Sequence, residues 1–453
     1  MSAEILRKRL AESSLAGRYE TFLGVGGGLA ILGVFLFVRA VLGEDAHRAW
    51  HVFHSSWLFF TGLCCGSIAF AAVHKTVNAK WSGVVIRFAE AAVAFAPISL
   101  LGFLLIFTLG YDAIYGHMAG QLHALQPGKA LWLSKPFMVA RLGIGLVVLY
   151  WLGWRLIKTD MLPDVAVVKP FATGGRRALY ERWTANFDGS AGALGQVERS
   201  LRKLGPTVAV VYAVVMTLVA FDGIMALQPH WFSNLLGGWY FMGAFLGAHM
   251  LLALTSNYGA RQLEIEDLVS AKQRHDLGKL CFGFSIFWTY LFWSQFQVIW
   301  YANLPEETGF VYSRVWGSWV PIAKAVISGM FVIPFIGLLG VVPKKTRWWL
   351  GLIAVISLTS LWLERYLMVL PSVTELPGPV FGAPELGAVA LLLGLFLLMY
   401  GLFARTFPMV SPRLAQITLD REVHHHQVEV YDHEDLDRDF VHEQDLDRPR
   451  PRH

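Results

Sequence analysis

Charge is what this sequence has least of. Of its 453 residues, 16% are Asp, Glu, Lys or Arg, where a soluble domain carries nearer a quarter. The few charges gather in short segments and at the two ends, and long stretches between have almost none. Cysteine is scarce as well. Cys64, Cys65 and Cys281 all lie in apolar runs, and no CxxC or CxxCH occurs. The chain therefore has no means of its own to ligate an iron–sulfur cluster or attach a c-type haem. Small buried hydrophobes are the simplest account of the three thiols. No P-loop, nucleophile elbow or HExxH is present, so the usual footholds of soluble-enzyme chemistry are missing. No catalytic residue and no metal site are expected, nor a nucleic-acid partner. Met1–Glu20 is charged and amphipathic, and is read as such and not as a cleavable signal peptide.

Apolar residues fill the space: 55% hydrophobic and 14% aromatic, with a mean hydropathy of +0.48. A run of about 20 apolar residues crosses a hydrocarbon core of about 30 Å, and only helices or closed barrels can do so with every backbone group paired. The runs here are continuous and not alternating, which excludes a barrel. The expected fold is an all-α integral membrane protein of about ten transmembrane helices. The spans are placed at 20–43, 51–74, 86–110, 136–158, 206–228, 236–256, 277–301, 318–341, 348–370 and 384–406.

Basic residues between the spans set the orientation. One side collects Arg7, Lys8, Arg9, Arg18, Lys75, Lys80, Arg87 and the many Lys and Arg of 158–203. It also holds Arg261, Lys272, Arg274, Lys344, Lys345 and Arg347, whereas the other side has little beyond Arg48, Lys129, Lys135 and Arg314. Both termini are therefore expected in the cytoplasm of a bacterial inner membrane. The chain divides into an amphipathic start (1–19), spans one to four (20–158), a basic cytoplasmic loop (159–205), spans five to ten (206–406) and a tail (407–453). That tail is acidic and His-rich, with His424-His425-His426 and two near-copies of one phrase, His433 to Arg438 and His442 to Arg448. A solvated or partner-bound tail accounts for it more simply than metal binding does.

An internal repeat is visible. Asp222 precedes Pro229 by seven residues, and Glu364 precedes Pro371 by seven. Four spans separate the two sites, so the repeats would run parallel. Two four-helix bundles result, spans two to five and six to nine, flanked by spans one and ten.

Ionisable groups at membrane depth cost about 2.5–3.5 kcal/mol each on insertion scales and so call for a reason. Towards the periplasm these are Asp222, Glu364, Arg365, Arg141, Lys324 and His54. Towards the cytoplasm they are Arg87, Glu90, Asp276 and Lys279, with His249 nearer mid-depth. Arg87 with Glu90, and Asp276 with Lys279, stand at i,i+3 near helix starts and would pair locally. Arg141 and Lys324 are placed to neutralise Asp222 and Glu364. Acid–base clusters of this kind suit a proton relay or a quinol headgroup, and they suit structural ion pairing too. His54 and Asp222 are the only quinone candidates. A b-type haem between His54 and His249 is not expected, because the two lie about 10 Å apart in depth at 1.5 Å per residue.

Several phrases resemble one family. They are Ala220 to Ser233 (with Phe221-Asp222-Gly223 and Gln228-Pro229-His230-Trp231), Asp276-Leu277-Gly278-Lys279-Leu280, and Ile299 to Thr308. Trp81-Ser82-Gly83 with Arg87 and Glu90, and Glu364-Arg365 before Pro371, complete the set. Together they are similar to the NrfD/PsrC-like polytopic membrane subunits of alternative complex III, over most of residues 45–407. The Asn303-Leu304-Pro305-Glu306-Glu307-Thr308 phrase resembles the second, ActF-like subunit. One departure is Gly223, where the family phrase usually has Trp.

The resemblance implies a subunit of a respiratory quinol:cytochrome c-type oxidoreductase. Iron–sulfur clusters and haem c would sit on partner subunits, and a sibling membrane subunit would hold the better quinol site. A terminal oxidase is a further partner it suggests. This chain would supply structural pairing and a proton path, with quinone or menaquinone as the only cofactor it could meet. A stand-alone secondary transporter with parallel repeats, and a passive scaffold, remain alternatives.

Overall fold

The structure is a computed structural model that describes residues 8, 12, 19–79, 81–262, 264, 266, 269–374 and 378–413. The amphipathic start and the triple-His tail read from the sequence lie almost wholly outside these residues. Among the described residues all regular structure is helical, and ten helices are long. In chain order they are α1 (Glu20–Val41), α2 (Ala46–Thr76), α3 (Ile86–Thr108), α4 (Lys135–Val168) and α5 (Ala191–Gly223). They continue as α6 (Leu236–Gln262), α7 (Ala271–Ala302), α8 (Gly317–Gly337), α9 (Arg347–Val373) and α10 (Ala383–Thr406).

All of these except α7 are long and apolar enough to cross a membrane, nine among the described residues. The chain is thus a multi-pass membrane protein. The expected span 277–301 falls inside α7, a 32-residue helix whose length would suffice. Its apolarity falls short because Thr289, Ser294, Gln295, Gln297 and several Trp and Tyr are spread through it. Much of the 159–205 segment is helical too. The fourth helix continues to Val168, a short helix spans Gly174–Trp183, and the fifth begins at Ala191.

Every residue of α2 from Ala49 to Ala72 is buried. A helix apolar on all faces belongs in the middle of a bundle, and α2 packs against α5, α6, α9 and α10. The sixth helix is nearly as enclosed and touches α5, α7, α9 and α2. Outer helices pair in order, α4 on α5 and α8 on α9, while α1 lies along α10. Two helices are irregular. A tight turn at Ala91–Phe95 interrupts α3 just before Pro97, and a wide one at Ser328–Val332 interrupts α8 just before Pro334. Each proline lacks the N–H that would continue the ladder, and the altered turn accommodates the loss.

Helix–helix contact inside a membrane depends on close backbone approach. Where α1 meets α10, a Cβ at Gly33 would stand 2.1 Å from the Leu391 nitrogen, and one at Gly394 2.3 Å from that of Ala30. At the crossing of α2 and α6, a Cβ on Gly66 would come within 2.3 Å of the Ala244 carbonyl oxygen. The obstacle there is backbone, so only separation of the two helices would relieve it. Gly66→Ala is accordingly expected to destabilise the protein by about 1–3 kcal/mol, read as a lower unfolding midpoint in detergent. Gly283→Ala, where nothing lies within 4 Å, should leave the midpoint unchanged, and equal behaviour of the two would refute this packing.

Candidate functional site

The first turn of α3 carries Arg87, wholly buried, into the bundle. Its guanidinium bonds Glu90 one turn along the same helix. It also stands 2.9 Å from the Asp160 carboxylate and 2.6 Å from that of Asp164, both on α4. It donates a fourth contact to the Asp160 carbonyl at 3.0 Å. Asp160 in turn holds Lys75 Nζ, from the end of α2, at 2.7 Å, and Arg413, beyond α10, at 3.4 Å. Three carboxylates thus face three cations. Balance of this kind is what permits charge at zero exposure, because each ion alone would carry a desolvation penalty of several kcal/mol. Four atoms of the cluster, Arg87 Nε, Glu90 Oε1, Asp164 Oδ1 and Arg413 Nε, have no hydrogen-bond partner among the described residues, and Asp160 Oδ2 has only its ion pair with Arg87.

At the opposite ends of the same helices Asp222 closes α5, fully buried. Arg141, from the start of α4, grips both of its carboxylate oxygens, with Nε to Oδ2 at 2.8 Å. A planar guanidinium fork fits a carboxylate in just this way. The same Arg141 donates to the Trp132 carbonyl at 2.6 Å and lies over the Trp132 ring at 3.9 Å. Tyr115 donates to the Asp222 carbonyl at 3.1 Å. Beside it, His54 Nε2 donates to the Gly223 carbonyl at 2.8 Å, which leaves Nδ1 as the acceptor of a neutral ring; that nitrogen has no partner. A Cβ on Gly223 would stand 2.8 Å from Leu58 and 3.7 Å from the His54 ring. Glycine here therefore goes with His54 packed against the α5 end, and a Trp would not fit.

Glu364, in α9, is also buried. Its partner is the adjacent Arg365, at 2.7–2.9 Å. Arg365 reaches the Tyr240 carbonyl at 3.2 Å and covers the Tyr240 ring at 4.0 Å. Glu364 also lines a cavity of about 60 Å³ together with Trp239, Trp288, Gln295 and Arg314. Pro371 stands inside α9, which runs on to Val373, so this proline does not end its helix.

Of the residues singled out in the sequence, the structure brings together Arg141 with Asp222, Arg87 with Glu90, and Glu364 with Arg365. It does not bring Lys324 to Glu364: Lys324 is exposed on α8, and the neighbouring arginine takes the role expected of it. Asp276 and Lys279 do pair, at 2.6 Å, but with side chains 24% and 55% exposed, so this is a surface pair. His249 is buried among Phe70, Phe245 and Phe284 and donates Nδ1–H to the Phe245 carbonyl at 2.8 Å. It meets none of the ion pairs.

The acids Asp160 and Asp164 were missed in the sequence because they follow the fourth apolar run. Their i,i+4 spacing was the available signal, since it places both on one face if the helix continues. As a quinone site the His54–Asp222 corner fits poorly. Both Asp222 oxygens are engaged by Arg141, and only Nδ1 of His54 is free to meet a headgroup. Among the described residues no group of three or more His, Cys, Asp or Glu is disposed as metal ligands. Compared with known proteins, the chain matches no family model and no curated protein.

Removing one partner of a buried pair leaves an uncompensated charge. Arg87→Ala and Arg141→Ala are therefore each expected to cost about 3–5 kcal/mol, measured by detergent unfolding. Lys324→Ala and Lys279→Ala, at exposed positions, should stay within about 0.5 kcal/mol. Equal losses in the two pairs of variants would show that the buried clusters carry no special share of stability.

Proposed function

We propose that this chain is a membrane subunit of a respiratory quinol:cytochrome c-type oxidoreductase of the alternative complex III type, NrfD/PsrC-like and closest in kind to the ActF-like subunit. In this reading α7 is a tenth span, and both termini face the cytoplasm of a bacterial inner membrane, as the Lys and Arg distribution favours. Helices α2–α5 and α6–α9 form two parallel four-helix units, flanked by α1 and α10. What supports the repeat is reciprocal packing: the first helix of each unit touches the last helix of both, with α2 against α5 and α9, and α6 against α9 and α5. Sibling membrane, iron–sulfur and c-type cytochrome subunits would carry the redox groups.

The observation that carries the proposal is the pair of buried ionic clusters at opposite ends of one unit. Asp222 with Arg141 stands at one end, and Glu90, Asp160 and Asp164 with Arg87 at the other, periplasmic and cytoplasmic respectively in the orientation proposed. Charged groups at such positions characteristically serve proton movement, and a quinol oxidase releases protons that such groups can handle. Quinol oxidation itself belongs to the sibling subunit, since the His54–Asp222 corner leaves little for a headgroup.

A transporter reading draws on the same parallel repeat. The helix breaks in α3 and α8, however, fall in the second helix of one unit and the third of the other. They do not form the matched pair of broken helices that marks a transporter's substrate site.

Solubilising the chain from its native membrane in mild detergent tests the proposal. It should copurify with a haem c protein and an iron–sulfur protein in stoichiometric amounts, visible in a reduced-minus-oxidised spectrum. A colourless solitary protein would overturn the assignment. Within such a complex, Asp222→Asn is expected to leave quinol oxidation in place and lower the number of protons moved per electron. An unchanged ratio would instead favour a scaffold role.

A further inference from the structure

Between the two ionic clusters lies a third polar feature that the ion pairs do not explain. Thr61 is the midpoint of α2, with fifteen residues of the helix on either side. Its hydroxyl shares a 2.7 Å hydrogen bond with Ser99 Oγ of α3. Tyr150 of α4 donates to the same Ser99 oxygen at 2.7 Å, and Cys65, one turn beyond Thr61, donates to the Tyr150 oxygen at 3.6 Å. All four groups are buried. Trp57 fixes the frame by donating its indole N–H to the Ser99 carbonyl at 2.8 Å. The result is a continuous side-chain chain, Thr61–Ser99–Tyr150–Cys65, that crosses three helices in the middle of the bundle.

Buried Ser and Thr hydroxyls in membrane helices ordinarily bond the carbonyl four residues back. Thr255 and Ser285 do so here, bonding Leu251 and Cys281. In the α6–α9 unit Ser285 and Ser357 both end on backbone carbonyls. Thr61 and Ser99 depart from that pattern.

We propose that the Thr61–Ser99–Tyr150 hydroxyl chain is the central segment of a proton path through the α2–α5 unit, joining the Asp222–Arg141 pair to the Arg87 cluster. This rests on the proton-handling role proposed above and narrows it to one of the two units. Each hop forms an O–H bond on the receiving oxygen and breaks the O–H bond pointing onward, so every hydroxyl returns to neutrality and only the excess proton moves. His54 lies seven residues before Thr61, about 10 Å along the helix, on the Asp222 side, where its Nε2 bonds Gly223 and its Nδ1 has no partner among the described residues. On the other side Cys65 precedes Lys75 by ten residues, about 15 Å. Ser67, buried and with an unpartnered hydroxyl, stands in that interval. In this proposal water molecules bridge both intervals.

Purified full-length chain in liposomes loaded with a pH-sensitive dye provides the test, with proton entry driven by a potassium diffusion potential. Wild type is expected to pass protons faster than protein-free liposomes. Tyr150→Phe and Ser99→Ala should each reduce that flux by about tenfold or more, Thr61→Ser should retain it, and Ser285→Ala in the other unit should leave it unchanged. Thermal midpoints of all four variants check that they are folded. Wild-type flux no greater than that of empty liposomes would overturn the proposal. So would an undiminished flux in folded Tyr150→Phe, or an equal loss in Ser285→Ala. The measurement involves no quinol and no partner subunit, so its outcome is independent of whether the chain copurifies with cytochromes.

Discussion

An ion in hydrocarbon has no solvent to turn to, and most of this architecture follows from supplying it with partners. Arg87 alone draws on α3 and α4, while its partner Asp160 draws in the end of α2 and the segment after α10. Arg141 and Asp222 fasten the start of α4 to the end of α5. Arg48 and Glu385, 2.5 Å apart, fasten the start of α2 to the start of α10. Apolar packing would let these helices slide or rotate against one another at little cost, because lipid is as good a neighbour as leucine. The ion pairs allow one register only. What α2 lacks in a polar stripe it recovers at its two ends, where charge locates it along the membrane normal.

Much of the fold could be read from the sequence because the bilayer imposes a length, and lengths of apolar sequence can be counted. The run 277–301 is the instructive exception. Its Gln, Ser, Tyr and Trp residues belong to α7, whose outer face exposes Tyr290, Trp293, Trp300 and Tyr301. A hydropathy average cannot distinguish a span with an aromatic flank from a helix that stays at the surface. The site was legible where charge sat inside an apolar run. Asp222 and Arg141 announce themselves because nothing near them in sequence is polar.

Elsewhere the sequence lacked the information. Lys324 and Arg365 are both cations near the right depth, and which of them reaches Glu364 depends on helix rotation. Asp160 and Asp164 looked like the beginning of a soluble loop, because the helix continues past the point where apolar residues stop. Thr61 and Thr255 are alike as letters within apolar runs, yet one bonds across to α3 and the other to its own backbone. That difference is set by what the neighbouring helix offers.

The close seam between α1 and α10 has a consequence for how the molecule is made. The surface of α1 shaped to receive Gly394 and Leu391 is synthesised before α2 to α9, and its complement in α10 after them. At about 5–20 residues per second, the interval is tens of seconds, during which α2 to α9 are inserted. Throughout that time the face of α1 that will meet α10 can rest only against lipid or against a substitute neighbour. A helix made before α2 to α9 therefore completes its seam after them, and the bundle closes like a ring whose two ends are joined after everything inside is set.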